Sequence, residues 1–263
     1  MKLLRKYAVI ARVSLLNAIN YRASIFSRFG FYALFIYVFM SLWRAIYKEG
    51  AVHGYSYEQI VWYLILTELI GFTCGPAMFH DMNNDIKSGS IAYQLGRPVH
   101  YVFYQLSAAF GQIALNFLSV GVLAIALGLL FVGPLPGFQP SSILALSVSV
   151  ILGILLNYFI MMLIGLSVFI MEDNFALYLI YQKLSFMLGM FLPVEFLPLR
   201  LQAVAKRLPF SYITWAPAKI FVNYSPELFL ELVPQQAAWA IIFILLTLIS
   251  YRFCVRRLQV NGG

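Results

Sequence analysis

Long apolar runs separated by short polar connectors dominate the chain, and six of these runs are long enough to cross a bilayer. A helix needs about 20 apolar residues to span the hydrocarbon core. Continuous runs of this length favour helices over the alternating strands of about ten residues that build membrane barrels. The third and fourth runs exceed the required length, so they are expected to tilt or to project from the bilayer. The predicted spans are Phe29–Tyr47, Ile60–Phe79, Tyr101–Val132, Ile143–Met171, Phe175–Leu192 and Ala237–Cys254.

The composition supports the same structural class. Hydrophobic residues make up 62% of the 263 residues and charged residues only 11%, whereas soluble domains carry about 25% charged residues. The mean hydropathy is +0.84. There is too little polar surface to face water on all sides, so the sequence predicts an all-α integral membrane protein, located in the cell membrane.

The first 28 residues differ from the rest because basic side chains are threaded among apolar ones. This pattern is typical of an amphipathic helix in the membrane interface, with its basic groups at the lipid head groups. We therefore divide the chain into an interfacial helix, residues 1–28, whose partner is membrane lipid, and a six-span transmembrane domain, residues 29–263. The basic residues of the first unit are Lys2, Arg5, Lys6, Arg12, Arg22 and Arg28.

The distribution of basic residues predicts the orientation, because cytoplasmic loops of membrane proteins carry the excess of lysine and arginine. With the N-terminus inside, the six residues above share the cytoplasmic side with Lys87, Arg97, Arg252, Arg256 and Arg257. The outer side holds fewer, so both termini are predicted to be cytoplasmic. The basic residues do not form one patch, and nucleic acid is not an expected partner. Those on or near the outer side are Arg44, Lys48, Arg200, Lys206, Arg207 and Lys219.

A polar stretch from His80 to His100 separates the second and third predicted spans and holds more local structure than a connector needs. Asn84 or Asp85 is expected to cap a first short turn, and Gly89 to end it in the left-handed conformation. The orientation places this segment, residues 80–100, in the cytoplasm.

A second short turn is predicted after the glycine, with Ser90 as its cap. Ile91 and Leu95 then share one face at a spacing of four. Pro98 suits the first position of the third span. The segment is a candidate docking element for a soluble partner, and an amphipathic knob resting on lipid is the alternative.

The segment between the fifth and sixth spans, residues 193–234, is apolar but rich in proline. Proline interrupts helices, so this segment cannot form a seventh span. It is also too apolar to lie freely in water, and we expect short helices that partly re-enter the membrane from outside. Its prolines are Pro193, Pro198, Pro209, Pro217, Pro226 and Pro234.

Two stretches resemble the ABC type-2 (exporter) permease family. One runs from Gly189 to Pro198 and on through Leu208-Pro209-Phe210, and it is similar to the segment after that family's fifth span. Gly96 departs from the pattern, because the family more often has a bulky apolar residue there. The other stretch is similar to the coupling-helix loop and comprises Asp85, Ile86, Lys87, Gly89, Ile91, Leu95, Arg97 and Pro98.

The resemblance implies a permease subunit of an ATP-driven exporter in a prokaryotic inner or plasma membrane. Its partners would be a second permease copy or a paralogue and two cytoplasmic ABC ATPase subunits, which drive the coupling loop. The sequence has no G-x-x-x-x-G-K-[ST] motif, so ATP and Mg are expected in the partner ATPase and no cofactor or metal in this chain, which is not itself an enzyme. The resemblance also implies an outer gate that contains Pro193, Glu195, Pro198 and Pro209.

Charged and polar residues inside the spans suggest a substrate pathway. Glu68 and Lys183 each lie about 12 Å into the membrane at 1.5 Å per residue, where a lone charge is unfavourable. We hypothesise that they interact, within one subunit or across a dimer; a protonated Glu68 that only joins helices is the alternative. Gln112 and Asn116 share a face of the third span and are assigned to the pathway, although hydrogen bonds between helices explain them too.

Two other functions stay open at this point. An ion-coupled secondary carrier would use Glu68 as its titrating group. A membrane-embedded lipid-modifying enzyme would need catalytic residues clustered at one membrane surface, and the candidates in this sequence are dispersed.

Overall fold

The computed structural model describes residues 2–20, 22–49, 54–74, 77–171 and 173–256. These residues form helices joined by turns, with no β-strand among them, as the all-α prediction requires. A π-helical turn, Phe186–Met190, extends α8, and 3-10 turns lie at Tyr47–Glu49, Ser167–Phe169 and Val194–Phe196. The α-helices are α1 (Lys2–Ile19), α2 (Arg22–Ile46), α3 (Tyr57–Thr73), α4 (Ala77–Lys87), α5 (Ile91–Leu95), α6 (Tyr101–Phe131), α7 (Ser142–Leu166), α8 (Phe175–Ser185), α9 (Leu199–Ala205), α10 (Ser211–Val222) and α11 (Pro226–Arg256).

Helices long and apolar enough to cross a membrane match four of the predicted spans. In the described part of the chain these are Ser27–Ile46, Tyr101–Phe131, Ser142–Phe169 and Pro226–Arg256. They contain the first, third, fourth and sixth predicted spans or most of their length. The second and fifth are shorter, because α3 has 17 residues and the apolar helix at the fifth is Phe175–Met190.

The second predicted span ends earlier than expected. α3 begins with a capping box, in which Ser56 Oγ accepts from the Gln59 N–H and Gln59 Oε1 accepts from the Ser56 N–H, and it ends at Thr73. The prediction that it continues to Phe79 is wrong, since a proline at position 76 disfavours helix at the residue before it. Phe79 belongs to α4 instead.

The sixth predicted span begins earlier than expected. Pro226 takes the first position of α11, where its missing N–H is not needed, and Ser225 Oγ accepts a hydrogen bond from the Leu228 N–H at 3.1 Å. Pro234 lies inside the helix. It removes one backbone hydrogen bond, yet the helix continues past it, so residues 226–234, the end of the proline-rich segment, belong to α11.

The proline-rich segment between α8 and α11, called the outer segment after its predicted location, folds into short helices, as predicted. Among these helices α10 is the most buried. Tyr212 and Trp215 are each 1% exposed. α10 packs on α7 at Gly153, where an added Cβ would lie 2.5 Å from the Ile213 carbonyl oxygen. The lack of a side chain at Gly153 therefore lets the two backbones meet, and α10 becomes part of the core.

α1 packs against the first turns of α6. Ser14 Oγ donates to the Ala108 carbonyl at 2.7 Å. A Cβ on Gly111 would lie 2.1 Å from the Ala11 carbonyl oxygen, so the two backbones approach closely there. The membrane-interface location of residues 1–28 stays a prediction, and the apolar side chains that α1 leaves exposed are Leu4, Val9, Val13, Leu16 and Ile19.

Candidate functional site

The loop predicted to dock a partner, residues 80–100, contains most of α4, all of α5 and the turn into α6. Asn84 and Asp85 lie inside α4, so the prediction that one of them caps a new turn is wrong. The helix starts earlier because Phe79, 1% exposed, packs into the core. Gly89 has a φ of 76°, which confirms the predicted left-handed end of the helix.

The carboxylate of Asp85 joins three parts of this loop. Its Oδ1 accepts a hydrogen bond from the Ser90 hydroxyl at 3.0 Å, and its Oδ2 accepts from the Tyr101 hydroxyl at 3.2 Å and the Gln105 amide at 3.1 Å. The end of α4, the turn after it and the start of α6 therefore meet on one side chain. Ser90 uses its hydroxyl here and makes no cap to α5, contrary to the prediction.

Ile91 anchors α5 to the core and does not present a docking face. It is 2% exposed and packs in one cluster with Tyr101, and Leu95 is partly buried against the same cluster. The outward face of α5 carries Tyr93, which is 73% exposed. The Arg97 guanidinium lies 5.0 Å from the centre of that ring. A partner that binds the exposed face of α5 would contact Tyr93 and Arg97.

One prediction for the end of the loop is wrong. Pro98 does not open α6, which begins at Tyr101 after an extended His100. The reason is a tight turn in which the Val99 N–H bonds the carbonyl of the residue before Pro98 at 2.8 Å. Gly96 ends α5 with a φ of −70°, a conformation that any residue adopts.

A second link ties α4 to the turn between α7 and α8. Asn83 and Asn174 exchange side-chain hydrogen bonds of 2.9 and 3.2 Å, and both are buried. Asn174 also donates to the Ile164 carbonyl at 2.7 Å. Lys87 pairs with Asp173 at 3.7 Å on the exposed surface. Sequence reasoning missed the amide pair, because no local pattern marks two asparagines 91 residues apart as neighbours.

The residues predicted to line a substrate pathway border two adjoining cavities. Gln112 and Asn116 line a cavity of about 510 Å³, and Glu68 and Lys183 line one of about 330 Å³. Within the described ranges no ion pair joins Glu68 to Lys183, and no three His, Cys, Asp or Glu side chains cluster as metal ligands. Pairing of Glu68 with Lys183 across two subunits stays a prediction. The two cavities share a wall made of Gly71, Phe72, Cys74, Asn157, Met161 and Met190.

One carboxylate organises the outer segment. Glu195 accepts hydrogen bonds from the Tyr55 hydroxyl at 3.3 Å and the Trp215 indole N–H at 3.2 Å, and it forms an ion pair with Lys219. Burial raises the pKa of Glu195, but the bonded Lys219 ammonium outweighs burial and holds this pKa below its ordinary value. The family resemblance points to Glu195 but does not identify its partners. Trp215 and Lys219 stand four residues apart on one helix, a spacing that could have indicated a shared face.

Three prolines shape the backbone around this carboxylate. Pro193 precedes the 3-10 turn that carries Glu195, and Pro198 precedes the first residue of α9. Pro209 lies in the turn between α9 and α10, where its carbonyl accepts a hydrogen bond from the Tyr212 N–H at 3.2 Å. Pro193 and Pro198 therefore flank the turn that carries Glu195, and Pro209 precedes α10, the helix that carries Trp215 and Lys219.

Comparison with known proteins yields one family. The family described as ABC-2 family transporter protein matches residues 17–262. The matched range covers α2 to α11. It includes Asp85 with its donors Ser90, Tyr101 and Gln105, which we call the Asp85 junction, and both cavities. It also includes Glu195 with Tyr55, Trp215 and Lys219, which we call the Glu195 cluster. No curated protein matches the sequence.

Proposed function

Because this chain belongs to the ABC-2 transporter family, as its resemblance to type-2 permeases predicted, we propose that it is the permease subunit of an ATP-driven exporter. Members of the family are membrane components of ABC transporters that work with ATPase partners and are not themselves catalytic. The chain is accordingly a multi-pass membrane protein. Outward transport driven through residues 80–100 is the finer assignment that we propose.

The proposed topology has six spans with both termini in the cytoplasm. Four long apolar helices supply four spans, and α3 and α8 with its π-helical turn supply the other two. The excess of basic residues before α2 and after α11 supports this orientation. It places α4 and α5 in the cytoplasm and the segment between α8 and α11 outside, in a prokaryotic inner or plasma membrane.

The Asp85 junction is the observation that carries the proposal. Through Asp85, the turn that holds α5 is bonded directly to the start of α6. Through Asn83 and Asn174, α4 is bonded to the turn between α7 and α8. A force applied to α5 would therefore move the inner ends of three helices together, which is what a coupling element requires.

The partners proposed are two cytoplasmic ATPase subunits, which bind ATP and Mg, and a second permease copy or a paralogue. The exposed ring of Tyr93 at the tip of the loop suits a docking contact, since exposed aromatic side chains often anchor interfaces. Substrate would pass along the two cavities, and the Glu195 cluster would close the outer side.

Co-purification with the proposed ATPase partner tests the proposal. Tyr93→Glu places a charge on the exposed tip without touching the buried Ile91, and we expect recovery of the ATPase with the permease to fall at least about tenfold, as for loss of an interface anchor. The matched control is Leu199→Glu, which adds the same charge at an outer side chain that is 83% exposed. Equal recovery of the ATPase with both variants would argue against docking at α5.

A further inference from the structure

Glu68 and Thr214 contribute two of the buried oxygen atoms in the smaller cavity that lack a hydrogen-bond partner in the described part of the chain. Glu68 is 1% exposed and Thr214 is 3% exposed. Neither Glu68 Oε1 nor Thr214 Oγ1 has a hydrogen-bond partner among the described residues. A buried polar group without a hydrogen bond is unfavourable, and more so when it is charged. Glu68 comes from α3 and Thr214 from α10, so two separate elements bring such groups to the same cavity.

The rest of the cavity wall is mainly aromatic and apolar. Rings from α2, α3, α8 and the π-helical turn line it, and its volume of about 330 Å³ falls within the range of small-molecule sites. Glu68 and Lys183 are the two charged residues of this wall. Lys183 is exposed on the surface of the chain, whereas Glu68 is buried. The lining rings belong to Phe35, Phe72, Tyr178, Tyr181 and Phe186.

We propose that this cavity binds the protonated amine of an amphipathic small molecule. The ammonium donates hydrogen bonds to Glu68 Oε1 and Thr214 Oγ1, and the apolar body lies among the aromatic rings. An ammonium group offers three donors and no acceptor, which matches two unpaired oxygens, and aromatic faces attract cations. As the substrate class of the exporter this rests on the proposed function, whereas binding itself needs no ATPase.

Binding is measured on the full chain in nanodiscs of phosphatidylcholine, a lipid whose head group has no N–H donor. The probe is dansylcadaverine, a fluorescent primary amine, and its comparison compound is the analogue with a terminal hydroxyl in place of the amine. Fluorescence anisotropy at pH 7 gives both dissociation constants. We expect the amine to bind at least about tenfold more tightly, since hydrogen bonds to charged groups contribute about 1.5–3 kcal/mol.

Four variants test the location of the site. Glu68→Gln should weaken amine binding at least about tenfold, and Thr214→Val about threefold, as for a neutral hydrogen bond. Glu227→Gln removes the same charge from an exposed position and should leave binding within about twofold. Lys183→Gln should leave amine binding unchanged or tighter, because it removes a like charge from the cavity.

Equal affinity for the amine and the alcohol overturns the proposal, as does full amine binding by Glu68→Gln. Weaker binding in Lys183→Gln also overturns it, because the site would then recognise an anionic group. If Glu68→Gln does not fold, the comparison of the amine and the alcohol on the unaltered chain still tests whether the cavity prefers the amine. A failure to bind the amine leaves ATPase docking at α5 standing, and a failure of docking leaves amine binding standing.

Discussion

Asp85 accepts a hydrogen bond from the Tyr101 hydroxyl across 3.2 Å, so the last turn of α4 is fastened to the first turn of α6. The same carboxylate oxygen accepts from Gln105 at 3.1 Å, one turn further along α6. The other oxygen holds Ser90, which immediately precedes α5. This relationship makes the loop a rigid extension of α6.

The Asp85 junction should control local opening of the loop. Asp85→Leu keeps the number and branching of the side-chain heavy atoms but removes every acceptor, and hydrogen bonds to a charged group contribute about 1.5–3 kcal/mol. Amide hydrogen exchange across residues 88–105 should therefore accelerate at least about tenfold. Lys87→Gln removes only an exposed ion pair, of little energetic value, and exchange should stay within about twofold. Similar protection in both variants would show that the junction is not structural.

The sequence predicted the position of this loop but not its internal bonds. Gly89 was identifiable because its left-handed turn is a local property of the chain. The start of α4 could not be predicted from the sequence, because it depends on Phe79 packing against Tyr178. The centres of these two rings lie 4.3 Å apart. The same limit applies to Ile91. A spacing of four predicts that Ile91 and Leu95 share a face, but it does not say whether that face contacts a partner or the core. In the structure Ile91 packs against the core.

The buried amide pair between α4 and α8 should behave as one unit. Asn83→Ala and Asn174→Ala each leave the partner amide buried without its hydrogen bonds, and each should destabilise the protein by about 1–3 kcal/mol. The double variant should lose less than the sum, with a coupling energy of about 0.5–3 kcal/mol. Denaturant unfolding in detergent micelles measures the cycle. Strict additivity would mean that the two amides contribute independently.

The contact of α1 with α6 should depend on one glycine. Gly111→Ala places a Cβ 2.1 Å from the Ala11 backbone oxygen, which the backbone cannot accommodate without shifting, and overpacking destabilises by about 1–3 kcal/mol. Gly121→Ala on the same helix meets its nearest atom at 3.8 Å and should be neutral or slightly stabilising. Protease cleavage within residues 2–20 should accelerate in Gly111→Ala alone.

The ion pair of Glu195 with Lys219 should stabilise the outer segment in a pH-dependent way. Lys219→Met leaves a mostly buried carboxylate without its cation and should destabilise by about 1–3 kcal/mol at pH 7. Because the pKa of Glu195 is lowered in the folded protein, its contribution is present above the ordinary value near 4.5 and is lost as pH falls through the lowered pKa.

Thermal unfolding in detergent micelles between pH 3 and pH 7 measures this effect. The difference in unfolding temperature between the unaltered chain and Lys219→Met should be largest at pH 7 and shrink below about pH 4.5. Lys206→Met is the control, since Lys206 is exposed, and it should change the unfolding temperature little at any pH. A constant difference across this range would contradict the account of the pair.

Apolar runs predicted most spans because hydrophobic length is readable along the chain. α6 begins at the predicted Tyr101 and ends at Phe131, one residue before the predicted Val132. The sequence does not indicate which charged residues form ion pairs with each other. Glu195 and Lys219 are 24 residues apart and meet through the fold of the outer segment, whereas Glu68 and Lys183, predicted from depth alone, share a cavity wall without an ion pair between them in the described part of the chain.

The central claim is that α5 receives an ATPase on its exposed face, and a site-specific cross-link tests it most directly. Tyr93→Cys, in a chain whose Cys74 and Cys254 are replaced by alanine, is treated in native membranes with a short bifunctional thiol reagent that also bridges to cysteines placed on the cognate ATPase. We expect a covalent permease–ATPase product from position 93 and none from the outer control Leu199→Cys. Absence of that product from position 93, with complex assembly intact, would contradict the claim.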